Sequence, residues 1–194
     1  MEIITYQLGS LQANCYLLVN DKDCLIIDPA DDAAFLLEEI QRRRLNLVAM
    51  LATHGHFDHI GAAGEIQLSI NVPLYIFKED QFLVDRVEET AEHFLDFKPY
   101  IIKPKNIKYL TEKNFQLPIF NFQIIKTPGH TPGGCCFYFK EENALFTGDT
   151  LFAEGVGRTD LSYSSKSDLN KSLEKIHKLE DVVIYPGHGE SVMI

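Results

Sequence analysis

Four metal-capable side chains fall within six residues in His54-Gly55-His56-Phe57-Asp58-His59, the pattern His-x-His-x-Asp-His. This cluster directly follows Leu47-Val48-Ala49-Met50-Leu51-Ala52, an apolar run of the length of a buried strand. The chain must therefore fold so that a strand ends where the cluster begins. In extended backbone His54 and His56 project to the same side, because side chains alternate with a period of two. Gly55 between them lets the backbone take shapes other residues resist and lets an ion come close. Asp58 and His59 open a segment with apolar residues at helical spacing (Ile60, Ala63, Ile66, Ile70), which puts them at a helix N-terminus. One loop can then offer two imidazoles to one ion, and a carboxylate plus a third imidazole to a second.

The rest of the chain has to supply a core around that loop. At 194 residues and 45% hydrophobic it is long enough for one well-buried domain over 1–194, and short for two. A formal charge of -10 argues against a nucleic-acid backbone as partner. The start Met1-Glu2-Ile3-Ile4-Thr5-Tyr6 has neither a basic segment nor a long apolar run, so no signal peptide is expected. No apolar stretch reaches the eighteen or so residues of a membrane span. Cys15, Cys24, Cys135 and Cys136 lack CxxC spacing and sit in apolar runs, which reads as buried reduced thiols. The expected setting is the cytoplasm, with no membrane partner.

Taken in order, Ile3–Leu8, Asn14–Val19 and Cys24–Asp28 read as strands, and Asp31 and Asp32 cap a helix carrying Ala33, Leu36, Leu37 and Ile40. The strand of the opening motif follows, then its helix, then a strand at 73–76. Residues 78–118 are the hardest to read. Phe82, Leu83, Val87, Ala91, Phe94, Leu95 and Phe97 suggest one or two amphipathic helices forming part of a pocket wall, before Pro99, Pro104 and Pro118 interrupt. Strands are expected again at 120–126, 135–139 and 144–147. A helix then starts with Ser165 and Asp168 as a capping box, and a last strand spans 182–185. Two mixed sheets packed face to face, with helices on both outer faces, accommodate this order: an α/β chain with an αββα sandwich.

Three later loops also carry metal-type residues, each after a strand: Thr127-Pro128-Gly129-His130-Thr131, Gly148-Asp149-Thr150 and Pro186-Gly187-His188-Gly189. Strand ends converging on one sheet edge are where α/β proteins build sites. His54, His56 and His130 would hold one ion, Asp58, His59 and His188 another, and Asp149 could bridge them with its two oxygens. Imidazole and carboxylate without thiolate suit two divalent ions, and these residue types alone do not choose among zinc, iron and manganese. His93 and His177 lie in helical stretches among charged neighbours and read as surface or packing residues.

The full set of motifs resembles the metallo-β-lactamase superfamily across essentially the whole chain. Asp28-Pro29, Phe146-Thr147-Gly148-Asp149-Thr150-Leu151-Phe152 and Gly155-Val156-Gly157-Arg158-Thr159-Asp160-Leu161 look most like glyoxalase II and its short bacterial relatives. That resemblance implies an αββα sandwich with the metal site at one edge, and hydrolysis of hydroxyacyl-glutathione thioesters such as S-lactoylglutathione. Asp58 would coordinate the second metal and orient the nucleophile. Asp28 would hold a ligand histidine by its other nitrogen. Arg158 falls where that family has a basic residue for the glycyl carboxylate of glutathione; its competing role is a structural pair with Asp160. Full-length glyoxalase II has a C-terminal helical domain, for which no counterpart is expected here, and Asp160 stands where that enzyme has a glutathione-binding tyrosine. A different enzyme class, a mononuclear iron persulfide dioxygenase using only His54, His130 and Asp149, shares the segment at 155–160. A non-catalytic metal-binding module is the remaining alternative.

Overall fold

Strands buried on both faces organise the molecule, and they explain the continuous apolar runs in the sequence. The computed structural model describes residues 1–111, 117 and 119–194. Strands β1 (Glu2–Leu8), β2 (Ala13–Asn20) and β3 (Asp23–Ile27) form an antiparallel meander. Helix α1 (Ala33–Arg43) is started by the Asp32 carboxylate, which accepts from the Phe35 backbone N–H, and it leads to β4 (Asn46–Leu51) beside β3 in parallel. After β4 the expected helix is broken in two, α2 (Phe57–Ile60) and α3 (Ala63–Ser69). The break has a cause in the backbone: the Ala62 N–H turns away to bond the Pro29 carbonyl at 3.0 Å.

Strand β5 (Leu74–Ile76) adds in parallel to β4, followed by α4 (Gln81–Asp85), α5 (Val87–Leu95) and a further parallel strand β6 (Ile107–Tyr109) that the sequence pattern does not reveal. Of the one or two helices expected in this segment two form, but Phe94 and Phe97 are exposed rather than packed inward, and Phe82 is only partly covered. Pro118 lies outside the described residues.

The second sheet begins at β7 (Gln123–Lys126), later than the expected 120, because Phe120 is engaged in an isolated bridge with Leu117. It continues through β8 (Cys135–Phe139) and β9 (Ala144–Gly148). A short hairpin follows, β10 (Leu151–Phe152) and β11 (Gly155–Val156). Helix α6 (Lys166–Ile176) comes next, then β12 (Val183–Pro186) parallel to β9, and the edge strand β13 (Val192–Met193). Only half of the capping box forms at α6. Ser165 Oγ accepts from the Asp168 N–H, while the Asp168 carboxylate turns out to Lys171 and the Ser165 N–H bonds Gly129 O.

Among the described residues the strand orders are β1-β2-β3-β4-β5-β6 and β13-β12-β9-β8-β7, both mixed. Alternation along β2, β3 and β8 sorts the core into layers. Tyr16, Leu18, Leu25 and Ile27 meet Phe137, Phe139 and Phe146 between the sheets. Cys15, Leu17, Cys24 and Ile26 face Leu36, Ile40, Ile66 and Val87 of the helices on one outer side. Cys136, Tyr138 and Leu145 face Ile176 of α6 on the other. The αββα sandwich is thus observed. All four cysteines are buried free thiols, and no helix among the described residues is long and apolar enough to cross a membrane.

Candidate metal centre

The loops after β4, β7, β9 and β12 meet at one edge of the sandwich, and they bring together His54, His56, Asp58, His59, His130, Asp149 and His188. His56 Nδ1 lies 3.1 Å from His54 Nε2 and 3.0 Å from His130 Nε2. His188 Nε2 lies 3.3 Å from Asp58 Oδ2, and His59 Nε2 3.6 Å from the same oxygen. Asp149 stands between these groups, with Oδ2 3.5 Å from His130 Nε2 and Oδ1 3.4 Å from His59 Nε2. His93 and His177 are exposed and away from the site.

The residues fit a pair of divalent ions on two grounds. A tetrahedral ion about 2.0–2.1 Å from its ligands keeps neighbouring ligand atoms roughly 3.3 Å apart, and the separations here run from 3.0 to 3.8 Å. Second, His59 Nε2 and Asp149 Oδ1 are buried with no hydrogen-bond partner. Orphaned buried polar atoms are rare in folded chains, and an ion between them would satisfy both.

Each imidazole is held by its other nitrogen, so that one lone pair faces the centre. His54 Nδ1 meets Thr53 Oγ1 at 3.0 Å, His56 Nε2 meets Tyr163 Oη at 2.8 Å, and His130 Nδ1 meets the Arg158 carbonyl at 2.9 Å. His59 Nδ1 meets Asp28 Oδ2 at 3.0 Å, and His188 Nδ1 meets the Leu11 carbonyl at 3.2 Å. Asp28 thus sits where the sequence reading puts it. It also accepts from the Thr53 backbone N–H and hydroxyl, both at 2.7 Å, and so joins the anchoring of His54 and His59. Its φ of 53° is left-handed, a conformation Asp and Asn tolerate better than most residues.

Charge in the metal-free chain follows from this crowding. Burial holds His54 well below its ordinary pKa and, with His130 beside it, takes His56 down to about 3. His59 goes the other way: burial opposes its charge, but Asp58, Asp149 and Asp28 outweigh that and raise it to about 10. Burial alone would raise Asp58; His59, His188 and His56 overcome it and keep the carboxyl ionised. The carboxylates therefore demand a cation at this spot, and a proton on His59 fills that role when no metal does.

A cavity of about 300 Å³ opens over the cluster, walled by Leu11, Phe57, Phe94, Leu161 and Arg158. The Arg158 guanidinium forms a two-pronged pair with Asp160, both bonds 2.7 Å, at the exposed rim. Asp80 and Tyr163 escape the sequence reading altogether. Neither belongs to a motif, and their partners lie 25 to 107 residues away in sequence. Gly187 is required sterically, because a Cβ there would strike Asp149 Oδ1 and His59 Cε1.

Comparison with known proteins places this site in context. Residues 8–188 match the model of the metallo-beta-lactamase superfamily. The chain is 36% identical to "Hydroxyacylglutathione hydrolase GloC" of Haemophilus influenzae, covering 100% of this chain and 93% of that protein. Among solved structures it resembles TTHA1623 in a di-iron-bound form, with 34% identity, a TM-score of 0.89, and 98% and 94% of the two chains covered. It also resembles the BLEG-1 B3 metallo-beta-lactamase, with 31% identity, a TM-score of 0.90, and 99% and 94% covered. Fold, site and sequence agree: the chain belongs to the metallo-beta-lactamase superfamily.

Proposed function

We infer that this protein is a two-metal hydrolase cleaving thioesters of the hydroxyacyl-glutathione type, with zinc as the first candidate and iron or manganese as alternatives. The observation that carries the reading is the orientation of five imidazoles and two carboxylates toward one centre, each imidazole anchored from behind. His54, His56 and His130 would hold one ion, Asp58, His59 and His188 the other, and Asp149 would serve both. The relative named as a hydroxyacylglutathione hydrolase supports the substrate class, and the di-iron neighbour supports a pair of ions.

When bound, such ions lower the pKa of water from about 15.7 to about 7 and polarise a carbonyl oxygen, which supplies a nucleophile and an electrophile at neutral pH. The chain's own residues do the remainder. Asp58, ionised, stands beside His188 at the cavity floor, where its carboxylate can accept a hydrogen bond from a water and orient it without taking its proton. Leu11, Phe57, Phe94 and Leu161 shield the acyl group from bulk solvent. A departing thiolate needs no acid, since thiols ionise near about 8.5. Arg158, at the rim, is placed to meet a carboxylate of the thiol carrier once Asp160 yields.

His188 and Asp58 both face the centre, which favours the paired site over an iron dioxygenase built on His54, His130 and Asp149 alone. The test is turnover of S-lactoylglutathione by protein of known metal content. Hydrolysis that scales with metal up to two ions per chain is expected. Metal binding without turnover on any thioester, ester or lactone would leave a non-catalytic module.

A further inference from the structure

Asp80 is the most deeply placed carboxylate that the reaction does not use. It is fully buried, and among the described residues it forms no ion pair within 4 Å. Three neutral donors face it: the Gly55 backbone N–H to Oδ2 at 2.9 Å, the Thr131 hydroxyl to Oδ2 at 2.7 Å, and the Gly133 backbone N–H to Oδ1 at 2.6 Å. Burying a charge is costly, and bonds to an ionised acceptor are the strong ones, so both oxygens are tightly committed. The donors come from two loops far apart in sequence. Gly55 lies between His54 and His56, while Thr131 and Gly133 immediately follow His130.

The same element makes a second contact with these ligands. Phe82, two residues on from Asp80, packs edge-on against Tyr163 with ring centres 5.2 Å apart, and Tyr163 holds His56 Nε2. Fit around Asp80 is close on both sides. A Cβ at Gly55 would meet Asp80 Cβ at 3.0 Å, and one at Gly133 would meet Asp80 Cγ at 2.7 Å. The spacing of the two loops is thus set at Asp80.

We propose that Asp80 is a positioning residue for the three-histidine metal position: one carboxylate clamps the His54–His56 loop to the His130 loop and fixes the distance between their imidazoles. It touches neither metal nor substrate. The proposal rests on the reading that His54, His56 and His130 hold an ion. Asp58 and His59 share only the Gly55 side of the clamp, and His188 shares neither side, so the effect of Asp80 falls mainly on the three-histidine ion.

Zinc affinity, measured by chelator competition on metal-free protein, separates the possibilities. His188→Ala isolates the three-histidine position, and His130→Ala isolates the other. Asp80→Asn, which sets an amide N–H against at least one donor, is expected to weaken zinc about 10–100-fold in the first background and less than about threefold in the second. Thr131→Val removes a single bond and should give a smaller loss confined to the same background, with Thr131→Ser restoring affinity; this pair decides the matter if Asp80→Asn does not fold, as judged by its melting curve. Equal losses in both backgrounds, or none in either, overturn the proposal and leave Asp80 a structural residue. Failure of the His188→Ala protein with Asp80 intact to bind zinc overturns instead the assignment of the three-histidine position.

Discussion

The two oxygens of Asp149 face different halves of the centre, Oδ2 toward His130 Nε2 at 3.5 Å and Oδ1 toward His59 Nε2 at 3.4 Å. A single carboxylate therefore couples the two ligand sets. Asp149→Asn keeps the shape but converts one acceptor into a donor. The expected outcome is a fall from two bound metals to one or fewer and a loss of turnover of about 100-fold or more, read by elemental analysis and thioesterase assay on one sample. Full occupancy with full activity would remove the bridging role.

Asp28 orients His59 directly and His54 through Thr53. Asn tolerates its left-handed φ, so Asp28→Asn isolates the electrostatic contribution from backbone strain. Metal affinity is expected to drop about 10–100-fold with the fold intact. Asp28→Ala adds strain to the same loss and should also lower the melting temperature.

Metal loading should expel protons. In the metal-free chain His59 is raised to about 10 by Asp58, Asp149 and Asp28 against the pull of burial, and His188 is raised as well, by Asp58 and Asp149. Below that pH His59 carries a proton on the nitrogen a metal needs, so affinity rises as pH increases toward 10. Calorimetric titration with zinc near about pH 7.5, in two buffers of different ionisation enthalpy, is expected to show at least one proton released. No release would contradict the charge state assigned to His59.

At the rim, Arg158 is claimed by Asp160. If the pair governs access of an anionic thiol carrier, Asp160→Asn frees the guanidinium and lowers KM for a glutathione thioester with kcat unchanged. Arg158→Ala raises that KM, and neither change affects an uncharged thioester. Exposed pairs are worth little to stability, so melting temperatures should stay within a few degrees.

The sequence made the candidate ligands legible because each stands at fixed spacing in a Gly-rich turn after an apolar run, and the structure brings all seven side chains to one place. The layers were legible for a related reason: Leu17 and Leu18, or Cys135 and Cys136, are adjacent apolar residues in short runs, as a strand buried on both faces requires. What supports the ligands was not legible. Asp80 reaches Gly133 across 53 residues and Tyr163 reaches His56 across 107, and nothing local in Lys78-Glu79-Asp80 or Ser162-Tyr163-Ser164 announces either partner. Strands β6, β10, β11 and β13 are two or three residues long, too short to show a period. The exposure of Phe94 ran against a helical pattern that was otherwise sound, because α5 turns that edge toward the cavity mouth, and Phe97 lies beyond the end of the helix.

The central claim is a paired metal centre performing hydrolysis, and one experiment addresses it directly: metal content and S-lactoylglutathione turnover measured on the same freshly purified protein, with oxygen consumption on glutathione persulfide followed alongside. Two ions per chain, thioester hydrolysis that vanishes on chelation and returns with metal, and no oxygen uptake are predicted. A single iron per chain with oxygen consumed on a persulfide substrate would contradict the account.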